Sequence, residues 1–331
     1  MVLSKVSKCN KYTYSKGRQN TRLLPFVLIC LTCRPLEFSN TKKMRILEPL
    51  RPVIWRQGEG FMGLCEHVAK CAAICYNSQP KEGGAAVDFV KSLIKRGHGR
   101  PLEFGTINGT ANIGSKMGEP LLNLFGFSCY GRAKKDEEAG LHKATFNLRQ
   151  AVEVGIPLEV IEKVYLNSEQ TANDDFFPRI TIYYPSISRA IADEFRTHTS
   201  LSTLMQSTRY VNAAKWSDKT PKDIDFIMPC WFDKADEGIK AEARGLLEMV
   251  EKFYTGAIQK GLKPQEARDL LPLGIQTRMV QCGFLDSWEN FLRLRTAKDA
   301  HPDARRTAKA VYAAIINERT ELKFKLDDDA K

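Results

Sequence analysis

The chain reads as an α+β protein: a single domain with a mixed or antiparallel sheet flanked by helices, and a helical C-terminal half. Three observations predict it. Arg179 to Tyr184 (RITIYY) is a β-branched, aromatic run between turn residues, the composition of a strand. Gly238 to Gln259 repeats Ile239, Ala243, Leu246, Leu247, Val250, Phe253, Tyr254 and Ala257 at helical spacing, an apolar stripe facing a core. No Pro/Ser/Gly tract and no internal repeat divides residues 44–331, so one domain is expected, although 331 residues would by length suggest about two.

Residues 1–43 differ from the rest. They are basic, rich in Ser, Thr and Asn, and without helical or strand periodicity. A targeting peptide, a disordered arm and an upstream start codon all fit such a stretch. The last is favoured, with Met44 the true first residue, because the apolar run Leu23 to Leu31 lies too deep for an ordinary signal peptide and no A-x-A-like site follows it. From Met44 the sequence alternates as a strand would (MRILEPLRPV).

The elements then follow in order. Residues 61–79 place Phe61, Leu64, Cys65, Val68, Cys71, Ala72 and Cys75 on one helical stripe, with His67 at the surface or boundary. Ala86 to Lys95 is a second amphipathic helix closed by Gly97. His98 to Phe104 reads as a polar loop, followed by strand-like or irregular chain to Ile113, and Glu119 to Arg132 is aromatic and Gly-rich without a clear period. Helical pattern returns at Ala139 to Val154 and at Leu158 to Tyr165. Pro185 should end the 179–184 strand, with Ser186 or Ser188 capping a helix over Arg189 to Phe195. Asp225 to Phe232 is a further strand candidate in which Pro229 marks an edge or a bulge. Pro264 opens a helix as its first residue, and Asp286–Arg295 and Pro302–Arg319 complete the helical half.

Composition excludes several classes. With 43% hydrophobic and 27% charged residues the chain is neither collagenous nor wholly disordered, and no apolar run approaches the roughly 20 residues that span a bilayer. The net charge of +11 invites a nucleic-acid reading, but residues 1–43 carry +8 of it, leaving only +3 for the remainder. No nucleic-acid or membrane partner is therefore expected. Nine cysteines without framework spacing imply reduced thiols in a cytoplasmic protein, and Cys30-x-x-Cys33 lacks a second pair. Five histidines never pair at i, i+4, so no metal site is expected. Gly109 to Lys116 has Ser before Lys, the wrong order for a phosphate loop, and no G-x-G-x-x-G occurs. Cys230, beside Pro229, reads as an inert thiol buried in an apolar strand away from any Arg or His.

Two clusters survive. Glu194 to Tyr210 (EFRTHTSLSTLMQSTRY) concentrates Arg196, His198, Gln206, Ser207 and Arg209 among further Ser and Thr hydroxyls. Charge in a bidentate fork plus neutral donors is what a phosphate ester demands; the competing reading is a solvated polar helix face. The second cluster is Asn290 to Arg295. With Phe291, Leu294 and Trp288 (or Leu292) facing inward, Asn290, Arg293 and Arg295 cannot share one outer stripe, which turns Arg295 towards a cleft; the competing reading is a solvated arginine. Arg268 stands as a third arginine near a helix end.

In order, the residues resemble the flavin-dependent thymidylate synthases over nearly all of 44–331. The matching pieces are Cys75-Tyr76-Asn77-Ser78, Gly97-His98-Gly99-Arg100-Pro101-Leu102-Glu103, Arg268 to Pro272 with Thr277, Trp288 to Arg295, and Ala300 to Arg305. The family signature, Arg-His-Arg, seven residues, then Ser-x-Arg-Tyr, reads here Thr197-His198-Thr199, then Ser207-Thr208-Arg209-Tyr210. Both arginines flanking the histidine are Thr, with Arg196 one residue away. Met205 and Gln206 stand where the family has an acid, and Phe284 and Asp286 where it has Asn and Arg. The phosphate-facing residues are retained, so nucleotide binding is better supported than the flavin contacts.

The resemblance implies reductive methylation of dUMP to dTMP, with methylenetetrahydrofolate as carbon donor, NADPH as reductant and FAD as cofactor. It implies Arg295 beside the pyrimidine as the catalytic cation. Gln206, Ser207, Arg209 and Arg268 join it as dUMP ligands, and His98, Arg196, His198 and Asn290 contact the flavin. It further implies a cytoplasmic homotetramer with shared active sites. The rival is a non-catalytic nucleotide- or RNA-binding homologue using the same Arg/Ser/Thr clusters.

Overall fold

A computed structural model describes residues 45–116, 130–167, 176–210, 212–213, 224–319, 322 and 324. Strands β1 (Arg45–Leu47) and β2 (Val53–Trp55) lead into α1 (Gly60–Tyr76), α2 (Gly83–Lys95) and the single-turn α3 (Gly99–Leu102). Then come β3 (Thr106–Asn112), β4 (Gly131–Asp136), β5 (Leu141–Asn147), α4 (Leu148–Glu153) and α5 (Leu158–Asn167). The second half holds β6 (Arg179–Ser188), α6 (Arg189–Phe195), β7 (Ser202–Met205), β8 (Asp225–Ile227) and α7 (Glu237–Gln259). It closes with α8 (Pro264–Ala267), β9 (Gln276–Phe284), α9 (Leu285–Thr296) and α10 (Pro302–Glu318).

Antiparallel pairing in the order β2-β6-β9-β7 makes the main sheet, β3-β5-β4 makes a second, and β1 lies parallel to β8. This is the expected α+β class. The main sheet is covered on both faces. Ile180, Ile182 and Tyr184 pack with Trp288, Phe291, Ala308 and Val311 of α9 and α10, while Val280 and Cys282 meet Cys71 and Phe104 on the other side. Both faces of this strand are covered, so Thr181 is buried and Tyr183 packs opposite the apolar face of Ile180, Ile182 and Tyr184. A separate core joins α1, α2, β3, β5, α4 and α5 through Leu64, Val68, Val90, Phe146 and Leu148.

Several expectations are corrected. Residues 141–147 form a strand instead of the first half of a helix, because that segment hydrogen-bonds to β3 on one side and β4 on the other. Only Leu148–Glu153 is helical, and the Asn147 side chain caps it by accepting from the Gln150 N–H. The helix-friendly Leu141, Lys143 and Ala144 of the strand segment are overridden by pairing. Pro185 does not end β6. A bulge between Tyr184 and Ile187 accommodates it and the strand runs on to Ser188, whose hydroxyl caps α6. The strand at 225 stops at Ile227, well short of Phe232. The stretch 98–104 holds the turn of α3, and β9 lacked any alternation to reveal it because both its faces are buried. Residues 1–43 and most of 119–132 lie outside the described residues.

His67 is buried, not at the surface, with Nε2 3.2 Å from the Thr181 hydroxyl. Burial, and after it the nearby Lys70 and Arg179, push its pKa down to about 3. A histidine held neutral in the folded state stabilises fully above its unfolded pKa of about 6.5, and that stabilisation is lost as pH falls towards 3. The thermal midpoint should therefore drop between pH 7 and pH 4, and His67→Gln should flatten that drop. Parallel pH profiles of the two proteins decide the point.

Candidate functional site

Helix α6 ends at Phe195 because the chain must turn to enter β7, so the polar segment 196–201 is a connection rather than an exposed helix face. The turn places Thr197 and His198 against α9. Arg295, near the C-terminal end of α9, reaches back across it. Its Nε donates to His198 Nε2 at 2.8 Å, Nη1 bonds the Glu194 carboxylate, and Nη2 lies 3.4 Å from both the Glu194 carbonyl and the Thr197 hydroxyl. His198 is buried, edge-on to Phe291 at 4.9 Å. Burial first, and Arg295 second, lower its pKa to about 4. It is therefore neutral at pH 7, accepts through Nε2, and carries its proton on Nδ1.

At the other end of β7 a second group forms. The Ser207 N–H donates to the Cys75 carbonyl at 2.9 Å, and its hydroxyl accepts from the Arg209 N–H at 3.2 Å. Arg209 lies over the Tyr210 ring, which in turn contacts Tyr76. Arg268 Nη1 donates to the Thr208 hydroxyl at 3.1 Å. Ser207, Arg209 and Arg268 are thus brought into one neighbourhood, joined by Arg278, whose Nη1 reaches Asn77 Oδ1 at 2.8 Å. The strand β7, about 13 Å long at the usual rise, runs in the chain between His198, which Arg295 contacts, and Ser207.

Other expected site residues sit elsewhere. Gln206 is buried, and its Nε2 lacks an acceptor among the described residues, which leaves one amide donor beside Ser207. Asn290 is exposed and accepts from Arg293 rather than facing Arg295. His98 is exposed at the start of α3 and caps nothing with its side chain. Arg196 is exposed and held by Asp193 at 2.8 Å. Of the inward set on α9, Trp288, Phe291 and Leu292 are buried whereas Leu294 is exposed. Sequence reasoning missed Glu194 as the partner of Arg295. The only signal was that Arg295 fell off the outer stripe of its helix.

A cavity of about 600 Å³ is lined by residues of neither group, among them Ile46, Phe226, Leu246, Leu247 and Pro272. Cys230 is on its wall, past the end of β8 and half-buried, not within an apolar strand. It also has charged neighbours: its N–H donates to Asp303 Oδ1 at 2.9 Å, and Arg306 contacts the same carboxylate. Burial and the Asp303 carboxylate raise its thiol pKa, so it remains protonated and poorly nucleophilic. No helix among the described residues is long and apolar enough to cross a membrane.

This α+β frame, with its arginines at the two ends of one buried-sheet strand, belongs to a recognised class. The family model for thymidylate synthase complementing protein matches residues 129–318, and the chain is a member of that family. A flavin-dependent thymidylate synthase of Mycobacterium sp. (strain JLS) is 25% identical over 209 residues, covering 60% of this chain and 76% of the relative. One from Campylobacter jejuni (strain RM1221) is 27% identical over 144 residues, covering 42% and 66%. Among solved structures, the Helicobacter pylori flavin-dependent thymidylate synthase complexed with FAD and dUMP gives a TM-score of 0.35 at 20% identity, over 45% of this chain and 73% of that one. The UMP/dUMP methylase PolB from Streptomyces cacaoi gives 0.40 at 12% identity, over 83% and 93%.

A protonated thiol remote from both arginine groups is no candidate for attack on a pyrimidine. Cys230→Ala should keep most of whatever turnover the protein has, with a small loss of stability from the cavity it leaves. Near-total loss of activity in a folded Cys230→Ala protein would refute this.

Proposed function

We propose that the protein is an FAD-dependent thymidylate synthase that methylates dUMP to dTMP, using methylenetetrahydrofolate as carbon donor and NADPH as reductant. The observation that carries the reading is Arg295, an arginine fixed by Glu194 and the neutral His198 at the family's signature histidine. FAD fits what surrounds it. The neutral His198 leaves an Nδ1–H donor, and Arg196 and Thr199 line a polar cavity nearby. When bound, the flavin supplies the hydride and one-carbon chemistry.

The chain's own residues then bind and polarise. Arg295 places positive charge where negative charge grows on the pyrimidine during reaction. Its tether to Glu194 and His198 keeps the guanidinium from wandering, so little reorganisation is needed at that moment. Ser207, Arg209 and Arg268 hold the 5′-phosphate, with Gln206 behind them. Arg196, His198, His98 and Asn290 are proposed flavin contacts, the last two completing the site from another subunit. Separation of the two arginine groups along β7 supports active sites shared within a homotetramer. A cytoplasmic location is part of the same proposal, and residues 1–43 lie outside the catalytic domain.

Colour tests the reading first. A purified yellow protein with an oxidised flavin spectrum favours the enzyme, whereas a colourless protein that takes up no FAD favours the nucleotide-binding homologue. Kinetics then separate the arginines. Arg209→Ala should mainly raise the apparent dUMP constant, since a phosphate contact made equally in ground and transition states costs on the order of 1.5–3 kcal/mol when lost. Arg295→Ala should mainly depress turnover, by about 100-fold or more. An Arg295→Ala enzyme altered only in dUMP affinity would reassign Arg295 to simple binding. Deletion of residues 2–43 should leave flavin content and tetramer mass unchanged; an insoluble or monomeric product would place those residues in the fold.

A further inference from the structure

A cavity of about 210 Å³ is lined by Arg100, Arg196, Thr199, Leu201, Thr203 and Met205. Its two guanidiniums come from distant segments, α3 and the end of α6. Each is anchored by one edge only. Arg100 Nη1 donates to Glu103 Oε2 at 2.9 Å, and Arg196 Nε donates to Asp193 Oδ1 at 2.8 Å. The remaining N–H donors of each fork are available to a ligand.

The Arg100 anchor is unusually firm. Glu103 is completely buried, takes Arg149 Nη1 on its other oxygen at 2.7 Å, and accepts from the Ser202 hydroxyl at 2.6 Å. It fixes α3 against β7 and aims Arg100. Each carboxylate also serves two arginines: Glu103 pairs with Arg100 and Arg149, Asp193 with Arg189 and Arg196, and Glu153 adds to Arg149. Four arginines thus face three carboxylates, and two of the four, Arg100 and Arg196, line the cavity. Thr199 adds a hydroxyl, while that of Thr203 is engaged by Gln281.

We infer that Arg100 and Arg196 form a cradle for a diphosphate group, with Glu103 as the positioning residue for Arg100. That the diphosphate is the flavin cofactor's rests on the function proposed above; the anion chemistry does not. Thr197 and Thr199 hold the two signature positions where arginines are missing, and Thr199 lines this same cavity. The charge lost from the linear motif is present in space, supplied by Arg196 next door and by Arg100 from a segment almost a hundred residues earlier.

Inorganic pyrophosphate, FAD and riboflavin, which lacks phosphate, are the probes, titrated calorimetrically into the full chain. Arg100→Ala and Arg196→Ala, both at exposed side chains, should each weaken pyrophosphate and FAD by about tenfold or more and leave riboflavin nearly unchanged. Glu103→Gln should weaken pyrophosphate likewise, and should add nothing in the Arg100→Ala background, which a merely structural role would not predict. Should Glu103→Gln fail to fold, the two arginine variants still decide. Wild-type binding of FAD that neither arginine variant alters overturns the cradle and leaves the proposed function standing. Arginine-dependent pyrophosphate binding by a protein that takes no flavin does the reverse. A wild-type protein that binds neither anion overturns the cradle outright.

Discussion

Gln281 sits at the centre of β9 with no exposure, and the candidate site hangs from it. Its Oε1 accepts from the Tyr184 hydroxyl at 3.0 Å, and its Nε2 donates to the Phe195 carbonyl at 3.2 Å and the Thr203 hydroxyl at 3.1 Å. One amide thereby ties β6, β7 and the last residue of α6 together. A buried amide left unpaired costs about 1–3 kcal/mol, so all three contacts are fixed by the same requirement. The consequence is positional. Residues 196–199 leave a helix end and enter a strand whose places are both set by the middle of the sheet.

Arg295 depends on that placement. A half-buried guanidinium needs acceptors. Glu194 and His198 supply them because Phe195 is clamped between them. Trp288 holds the helix from the other direction, donating its Nε1–H to the Ile180 carbonyl at 3.0 Å. The neutrality of His198 follows from burial first and from this pairing second, since a protonated imidazole would present an N–H to Arg295 and break the bond. Positive charge is thus concentrated on one group of fixed direction. That suits stabilising charge at one point on a ligand better than attracting anions in general.

How much of this was legible in the sequence depends on what each residue answers to. Helix α6, the capping Ser188 and the extent of α7 follow from local spacing and were readable, but the α7 stripe is buried only at Tyr254 and Ala257, with Ile239, Leu246 and Phe253 exposed. Strand β9 was not: QTRMVQCGF is buried on both faces, and its polar Gln281 and Thr277 face inward for reasons set by distant partners. Residues 141–147 failed the opposite way, their local preference for helix being overruled by two neighbouring strands. At the site, the phosphate-type residues Ser207, Arg209 and Arg268 were legible as a group, because Arg and hydroxyl side chains advertise their chemistry. Glu194 and Glu103 were not, since a carboxylate that orients an arginine across the fold looks, in sequence, like any surface acid.

That asymmetry bears on the altered signature. A motif read along one strand records which positions carry charge, but the ligand experiences only the field at the cavity. Replacing two flanking arginines by threonine removes charge from the line of the motif. It removes none from the cavity if arginines enter it from elsewhere, and Arg100 and Arg196 do so here. Such relocation has a structural cost that the sequence also meets. Arg100 sits on a one-turn helix, and a fully buried carboxylate shared with Arg149 and Ser202 ties that turn to β7. The departure at 197 and 199 and the saturated carboxylate at 103 are therefore better understood as two halves of one arrangement than as a decayed motif beside an unrelated ion pair.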